Sequence, residues 1–103
     1  MGERPKTLDM PEGETLEQKK ERLRPVFRRS LEVFQNPDRP LREGALTVTR
    51  EFNGEIETVP GLVVLDILDD AVELGGIEDD GEIGASAFMT WEEILDAKEE
   101  GDG

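Results

Sequence analysis

Residues 62–74, Leu-Val-Val-Leu-Asp-Ile-Leu-Asp-Asp-Ala-Val-Glu-Leu, decide how the rest of the chain is read. Asp66, Asp69, Asp70 and Glu73 fall at i, i+3, i+4 and i+7, the spacing of one helix face, while Val64, Leu65, Ile67, Leu68, Ala71, Val72 and Leu74 cover the remainder. The pattern predicts a central core helix closed by Gly75-Gly76 as a left-handed cap. Valines crowd Leu62 to Leu65, so an early strand there is the alternative, because β-branched side chains are stiff on helical backbone.

Upstream, Ala45 to Phe52 reads as a strand with Leu46, Val48 and Phe52 on one face and Thr47, Thr49 and Glu51 on the other; Arg50 is the exception on the apolar side. Asn53-Gly54 follows, and both residues accept the positive φ of a type I′ hairpin turn. A two-residue loop sets Phe52 opposite Glu55 and Glu51 opposite Ile56. A bulged three-residue loop aligns Phe52 with Ile56, and that register or a longer loop is the expectation. The returning strand, Glu55 to Val59, is expected to stop at Pro60-Gly61.

Before the hairpin, Thr15 and Gln18 have the spacing of a capping box. Leu16, Leu23, Phe27, Leu31 and Phe34, with Val26 beside Phe27, recur near helical spacing. Pro25 lacks an N–H and crowds the preceding turn, so the sequence predicts a break or sharp kink there and two or three helical segments in all. Asn36-Pro37 ends the region. Residues 1–14, with Pro5, Pro11 and Gly13 and no periodicity, read as a disordered arm.

Downstream, Glu78, Asp79, Asp80, Gly81 and Glu82 form an acid-rich turn, and Ala85 to Met89 reads as a short strand or an extended approach. Thr90 and Glu93 make a second capping box, with Met89 and Ile94 placed as a staple, and predict a last helix over 91–99. Residues 100–103 read as a disordered tail. The fold expectation is a small α+β domain over residues 15–99: amino-terminal helical segments, a two- or three-stranded antiparallel sheet around Asn53-Gly54, and two later helices at about 62–74 and 91–99.

A chain of 103 residues, 35% of them apolar, has room for one core. Without cysteine, neither a disulfide framework, a thiolate metal site nor a cysteine nucleophile is available. Without histidine or tyrosine, the commonest general base and the phenolic acid are missing too. Carboxylates, lysine, arginine and hydroxyls can still run magnesium-assisted or glycosidic chemistry, yet no motif of either kind occurs. The expectation is a non-enzymatic protein without a cofactor or metal. No stretch of 18 apolar residues and no signal-peptide pattern is present, so a cytoplasmic location is expected.

Charge is polarised along the chain. Residues 1–50 hold 11 Lys and Arg against 9 Asp and Glu, a net of +2, whereas residues 51–103 hold a single lysine against 17 acids, a net of −16. The acids Asp66, Asp69, Asp70, Glu73, Glu78, Asp79, Asp80 and Glu82 are the candidate partner-binding set. Their spacing does not match a calcium-binding loop, since three consecutive acids before Gly81 cannot all point inward. Lys19, Lys20, Arg22, Arg24, Arg28 and Arg29 form a basic patch. It either contacts phosphates or folds back onto the acidic half, and the second reading is preferred because the net charge of −14 repels nucleic acid. Trp91 beside the predicted cap reads as core.

A basic first half and an acidic second half resemble, in charge distribution alone, the layout of bacterial antitoxins, which contact DNA with one part and a basic toxin with the other. The expected function is thus an acidic adaptor or regulator that docks a basic surface of a protein partner, as an antitoxin, an inhibitor or a nucleic-acid mimic does. Alternatives are a structural component of an oligomeric assembly or a carboxylate- or metal-dependent enzyme. Neither a membrane nor direct binding to nucleic acid is expected.

Overall fold

The computed structural model describes residues 13–100; residues 1–12 of the expected arm and 101–103 of the expected tail lie outside the described residues. One helix, α1 (Leu16–Gln35), and a 3-10 turn (Leu41–Gly44) precede five strands: β1 (Leu46–Phe52), β2 (Glu55–Ile67), β3 (Ala71–Ile77), β4 (Ile83–Thr90) and β5 (Ile94–Glu99). All pairings are antiparallel, in the order β4-β3-β2-β1-β5. The class is α+β as the sequence predicts, but the two later helices do not form and the sheet has five strands.

The helix starts where the capping box puts it. The Gln18 amide donates to Thr15 Oγ1 at 3.1 Å and the Thr15 amide to Gln18 Oε1 at 3.0 Å. It then runs unbroken through Pro25, contrary to the expected break. Pro25 lies on the exposed side, where one missing backbone bond is tolerable, while the buried stripe on both sides of it holds the two halves on one surface. That stripe is Lys19, Leu23, Phe27, Ser30 and Val33, so Phe34 is turned outward.

At Asn53-Gly54 the chain makes a two-residue loop with φ of 56° and 79°, and Phe52 pairs with Glu55. The expected bulged register is not adopted. Glu51, Phe52, Glu55 and Ile56 are all exposed, so no buried face demands that Phe52 meet Ile56, and the Asn-Gly turn sets the register. Arg50 secures the stem: it bonds Glu57 at 2.9 Å and Glu93 at 3.1 Å and lies 4.7 Å from the Phe52 ring centre.

Pro60-Gly61 does not end β2. Val48 pairs with Val59 and Leu46 with Leu62, so these two residues oppose Thr47 alone. This bulge accommodates a residue without an N–H and gives Gly61 its φ of 70°. The carboxylate of Glu100 accepts the Gly61 amide and the Thr47 hydroxyl, both at 2.7 Å.

Residues 62–74 form the end of β2, a turn and β3 instead of a helix. Leu68 donates to the Ala71 carbonyl across Asp69-Asp70, and the four acids of the expected helix face become turn and cross-strand residues. The apolar run suits the buried end of β2, where Leu62, Val63 and Val64 are all covered. Gly75-Gly76 lies within β3 rather than capping a helix. A methyl group at Gly75 would stand 2.8 Å from Ile83 Cγ2 and 3.2 Å from Leu65 Cδ1, so glycine is required for that approach.

The second capping box does form: the Glu93 amide donates to Thr90 Oγ1 at 3.2 Å. It closes a turn, however, and residues 94–99 continue as β5 along the open edge of β1, with Ala97 beside Val48. A helix of about ten residues is marginal alone, so sheet pairing wins.

The core lies between α1 and one sheet face, around Leu23, Phe27, Leu46, Val48, Val64, Val72, Leu74, Met89 and Ile94. Trp91 is fully buried, its ring 5.6 Å from that of Phe27, and its Nε1 donates to the Leu68 carbonyl at 3.0 Å. Ser30 is buried too: Oγ donates to the Gly44 carbonyl at 2.6 Å and accepts from the Val64 amide at 2.9 Å. We predict that Ser30→Ala, which orphans both groups, lowers the unfolding free energy by about 1–3 kcal/mol. Urea titration checks this, and an unchanged midpoint would refute the bridging role.

Candidate functional site

The basic patch is divided by α1. Lys19 points inward, only 7% exposed, and its ammonium donates to the carbonyls of Trp91 at 2.9 Å and Glu92 at 3.1 Å. Desolvation lowers its pKa despite the nearby Glu14 carboxylate. Arg22 bonds Glu14, Asp96 and the Leu95 carbonyl, and Arg29 pairs with Glu99. Lys20 sits 5.9 Å from the Trp91 ring centre and 3.9 Å from Glu17. Arg24 and Arg28 remain, lining with Glu21 and Pro25 a shallow depression of about 270 Å³ on the helix's outer side. The six residues therefore form no continuous basic surface; Lys19, Arg22 and Arg29 join α1 to the 90–99 segment.

The acids are distributed differently from the single helix face that the sequence predicts. Asp69 and Asp70 occupy the β2–β3 turn, with Asp66 just before it, and Asp66 is the register partner of Glu73. Glu78, Asp79, Asp80 and Glu82 occupy the β3–β4 turn, where the Glu82 amide donates to Asp80 Oδ1 at 2.9 Å and Gly81 has a φ of 85°. A seven-residue strand separates the two turns, roughly 20 Å at the rise of a β-strand. The candidate set thus forms two acidic ends with Glu73 between them, and all its members except half-buried Glu73 are exposed. None of the eight has an ion-pair partner among the described residues. The second-half acids that do pair are Glu57, Glu93, Asp96 and Glu99.

Among the described residues, no three carboxylates converge as a metal site would require. Glu14, within the segment read as a disordered arm, is held by Arg22 at 2.8 Å; that hydrogen bond keeps its carboxyl below the ordinary carboxylate range. Phe34, Phe52 and Phe88 are exposed, and Phe88 is the most open at 58%. It is the register partner of Glu73, so Asp66, Glu73 and Phe88 make a row across β2, β3 and β4 on the sheet face opposite α1. The sequence holds no signal for this row, because it follows from a hairpin in place of a helix. In comparisons with protein-family models, curated proteins and solved structures, the chain matches none.

The Glu14–Arg22 contact has a definite pH signature. A carboxyl with a depressed folded pKa contributes stability above its unfolded value, near 4.5, and loses that contribution as pH falls through the folded value. Wild type is expected to have a higher urea midpoint than Glu14→Gln at neutral pH, with the gap closing below about pH 4.5. A gap that stays constant down to strong acid would show that the pair adds no stability.

Proposed function

We propose that this chain is a non-enzymatic binding protein whose acidic second half docks a basic surface of a protein partner. The reading rests on the disposition of the candidate acids: Arg22 and Arg29 of α1 pair with Glu14, Asp96 and Glu99, and Asp66, Asp69, Asp70, Glu78, Asp79, Asp80 and Glu82 face outward. Carboxylates so placed project negative potential from both ends of the β2–β3–β4 part of the sheet. Such a field accelerates encounter with a cationic surface by about 10- to 10³-fold and weakens as salt screens it. The partner's basic area has to span both ends, roughly 20 Å, to engage the two turns together.

Affinity capture from the native cell lysate at low salt tests this reading. Basic proteins should be retained and released as salt rises. The combined variant Asp69→Asn, Asp70→Asn, Asp79→Asn, Asp80→Asn should retain them at least about tenfold less well. Equal retention by wild type and variant, or retention indifferent to salt, would sink the proposal.

A further inference from the structure

The two edges of the sheet differ in how they are protected. β5, at one edge, carries Asp96, Lys98 and Glu99 within six residues, and α1 reaches over it: Arg22 donates to the Leu95 carbonyl at 3.2 Å and Arg29 pairs with Glu99. Charges and overlying side chains are the usual means of stopping an edge strand from pairing with another chain. β4, at the opposite edge, reads Ile-Gly-Ala-Ser-Ala-Phe-Met-Thr over Ile83–Thr90, with neither charge nor proline. Gly84 to Phe88 and Thr90 are all exposed, and β3 is its only strand neighbour among the described residues.

The register shows which main-chain groups are open. Trp91 donates its amide to the Asp70 carbonyl, so Thr90 and Ala71, one step inward, form a pair without mutual hydrogen bonds. Alternation along the ladder makes Phe88/Glu73 and Ser86/Gly75 pairs of the same kind. Ser86 and Phe88 therefore turn their N–H and C=O groups away from β3, toward a strand position that no described residue fills; Thr90 turns its N–H the same way, while its carbonyl accepts the Glu93 amide at 3.1 Å.

We propose that this edge of β4 accepts an extended, basic segment of a protein partner as a sixth strand, bonded through Ser86, Phe88 and Thr90. The inference rests on the acidic-docking reading and gives it a mode. Charge selects the occupant. Asp66 and Glu73 are like-charged cross-strand neighbours with no described cation between them, and Phe88 continues their row to the edge. A lysine or arginine of an added strand, on the same face beside Phe88, lies over the ring and faces Glu73. The Glu78–Glu82 turn flanks the entrance to the strand. A second copy of this chain fits worse. Antiparallel pairing of two β4 strands brings the Glu78–Glu82 turn of one toward Asp69 and Asp70 of the other, and parallel pairing sets the two Glu78–Glu82 turns side by side.

The test uses the full chain and three synthetic peptides of about ten residues, a length matched to one strand. One alternates arginine with threonine, the second is the same peptide N-methylated at alternate residues, and the third replaces arginine by glutamate. The arginine peptide should bind and slow hydrogen exchange at the Ser86, Phe88 and Thr90 amides. The N-methylated peptide should bind at least about tenfold more weakly, since strand addition depends on main-chain bonds that it lacks. Ser86→Pro should weaken binding similarly while keeping the β3–β4 ladder, because the amide it removes points outward. Equal binding of the N-methylated peptide, with exchange at the three amides unchanged, overturns strand addition and leaves acidic docking standing. Binding of the glutamate peptide as tight as that of the arginine peptide overturns both. A concentration-dependent dimer in sedimentation that Ser86→Pro abolishes assigns the edge to a second copy and overturns the basic occupant, as does a failure of the arginine peptide to bind.

Discussion

The central strand outruns its neighbour, and the side chain that covers the surplus fixes the geometry of the molecule. β2 spans Glu55–Ile67, but β1 begins at Leu46, opposite Leu62, so residues 63–67 have no strand partner on that side among the described residues. A buried strand edge without partners costs free energy at each orphan amide. Ser30 Oγ of α1 accepts the Val64 amide there and donates to the Gly44 carbonyl, so one hydroxyl ties together the helix, the 3-10 turn and the strand. Gly44 must be glycine for this seat, since an added methyl would approach Val33 Cβ to 2.9 Å and the Ser30 carbonyl to 3.1 Å. With the helix held at Ser30, Leu23 and Phe27 fall over the sheet, Phe27 meets Trp91, and Lys19 reaches the turn that carries Trp91.

This dependence explains why some elements can be read from the sequence and others cannot. Signals that act within a few residues are legible: the Thr15–Gln18 box, the stop at Asn36-Pro37, the first strand and the Asn53-Gly54 reversal. The Thr90–Glu93 box is legible as well, and its hydrogen bond forms, but the same bond serves a turn as readily as a helix start. Whether residues 94–99 then coil or extend is decided by the open edge of β1, which lies more than forty residues away in sequence. The acid spacing of residues 62–74 is ambiguous in the same way. Spacing of i and i+7 describes two turns of a helix, and it also describes Asp66 and Glu73 across a hairpin. Valines at 63, 64 and 72 and the Asp69-Asp70 pair favour the hairpin, and the central position of β2 makes that preference decisive. Proline misleads twice for one reason: at an exposed helix position or in a bulge, the missing N–H costs little.

The charge pattern is legible in outline and not in placement. A basic first half and an acidic second half do meet, as the sequence suggests, yet only at selected points. Arg22, Arg29 and Arg50 find Asp96, Glu99, Glu57 and Glu93 because β5 and the 90–93 turn lie beside α1 and the hairpin stem. The acids of residues 66–82 belong to the β2–β3–β4 side of the sheet, beyond the reach of α1's arginines. Topology therefore sorts the second-half carboxylates into a set that holds the fold together and a set that faces outward. Composition cannot make that division, because both sets are Asp and Glu within one stretch of chain.

The outward set also bears on how the unprotected edge persists in a folded protein. An eight-residue strand without charge or proline is a template for any extended chain, and such edges ordinarily lead to self-association. Here the obstacle to self-pairing lies beside the strand instead of within it. The turns at 69–70 and 78–82 place like charges where a second copy would have to lie, and on the proposed mode repulsion between copies would leave the β4 backbone open. Repulsion of this kind would be selective, barring a copy of this acidic chain and favouring a cationic one with the same carboxylates. Charges placed on β4 itself would occupy the positions that a partner strand needs. On the proposed mode, charges placed at its ends would keep the main-chain groups of Ser86 and Phe88 and the amide of Thr90 available while deciding, by sign, which chains reach them.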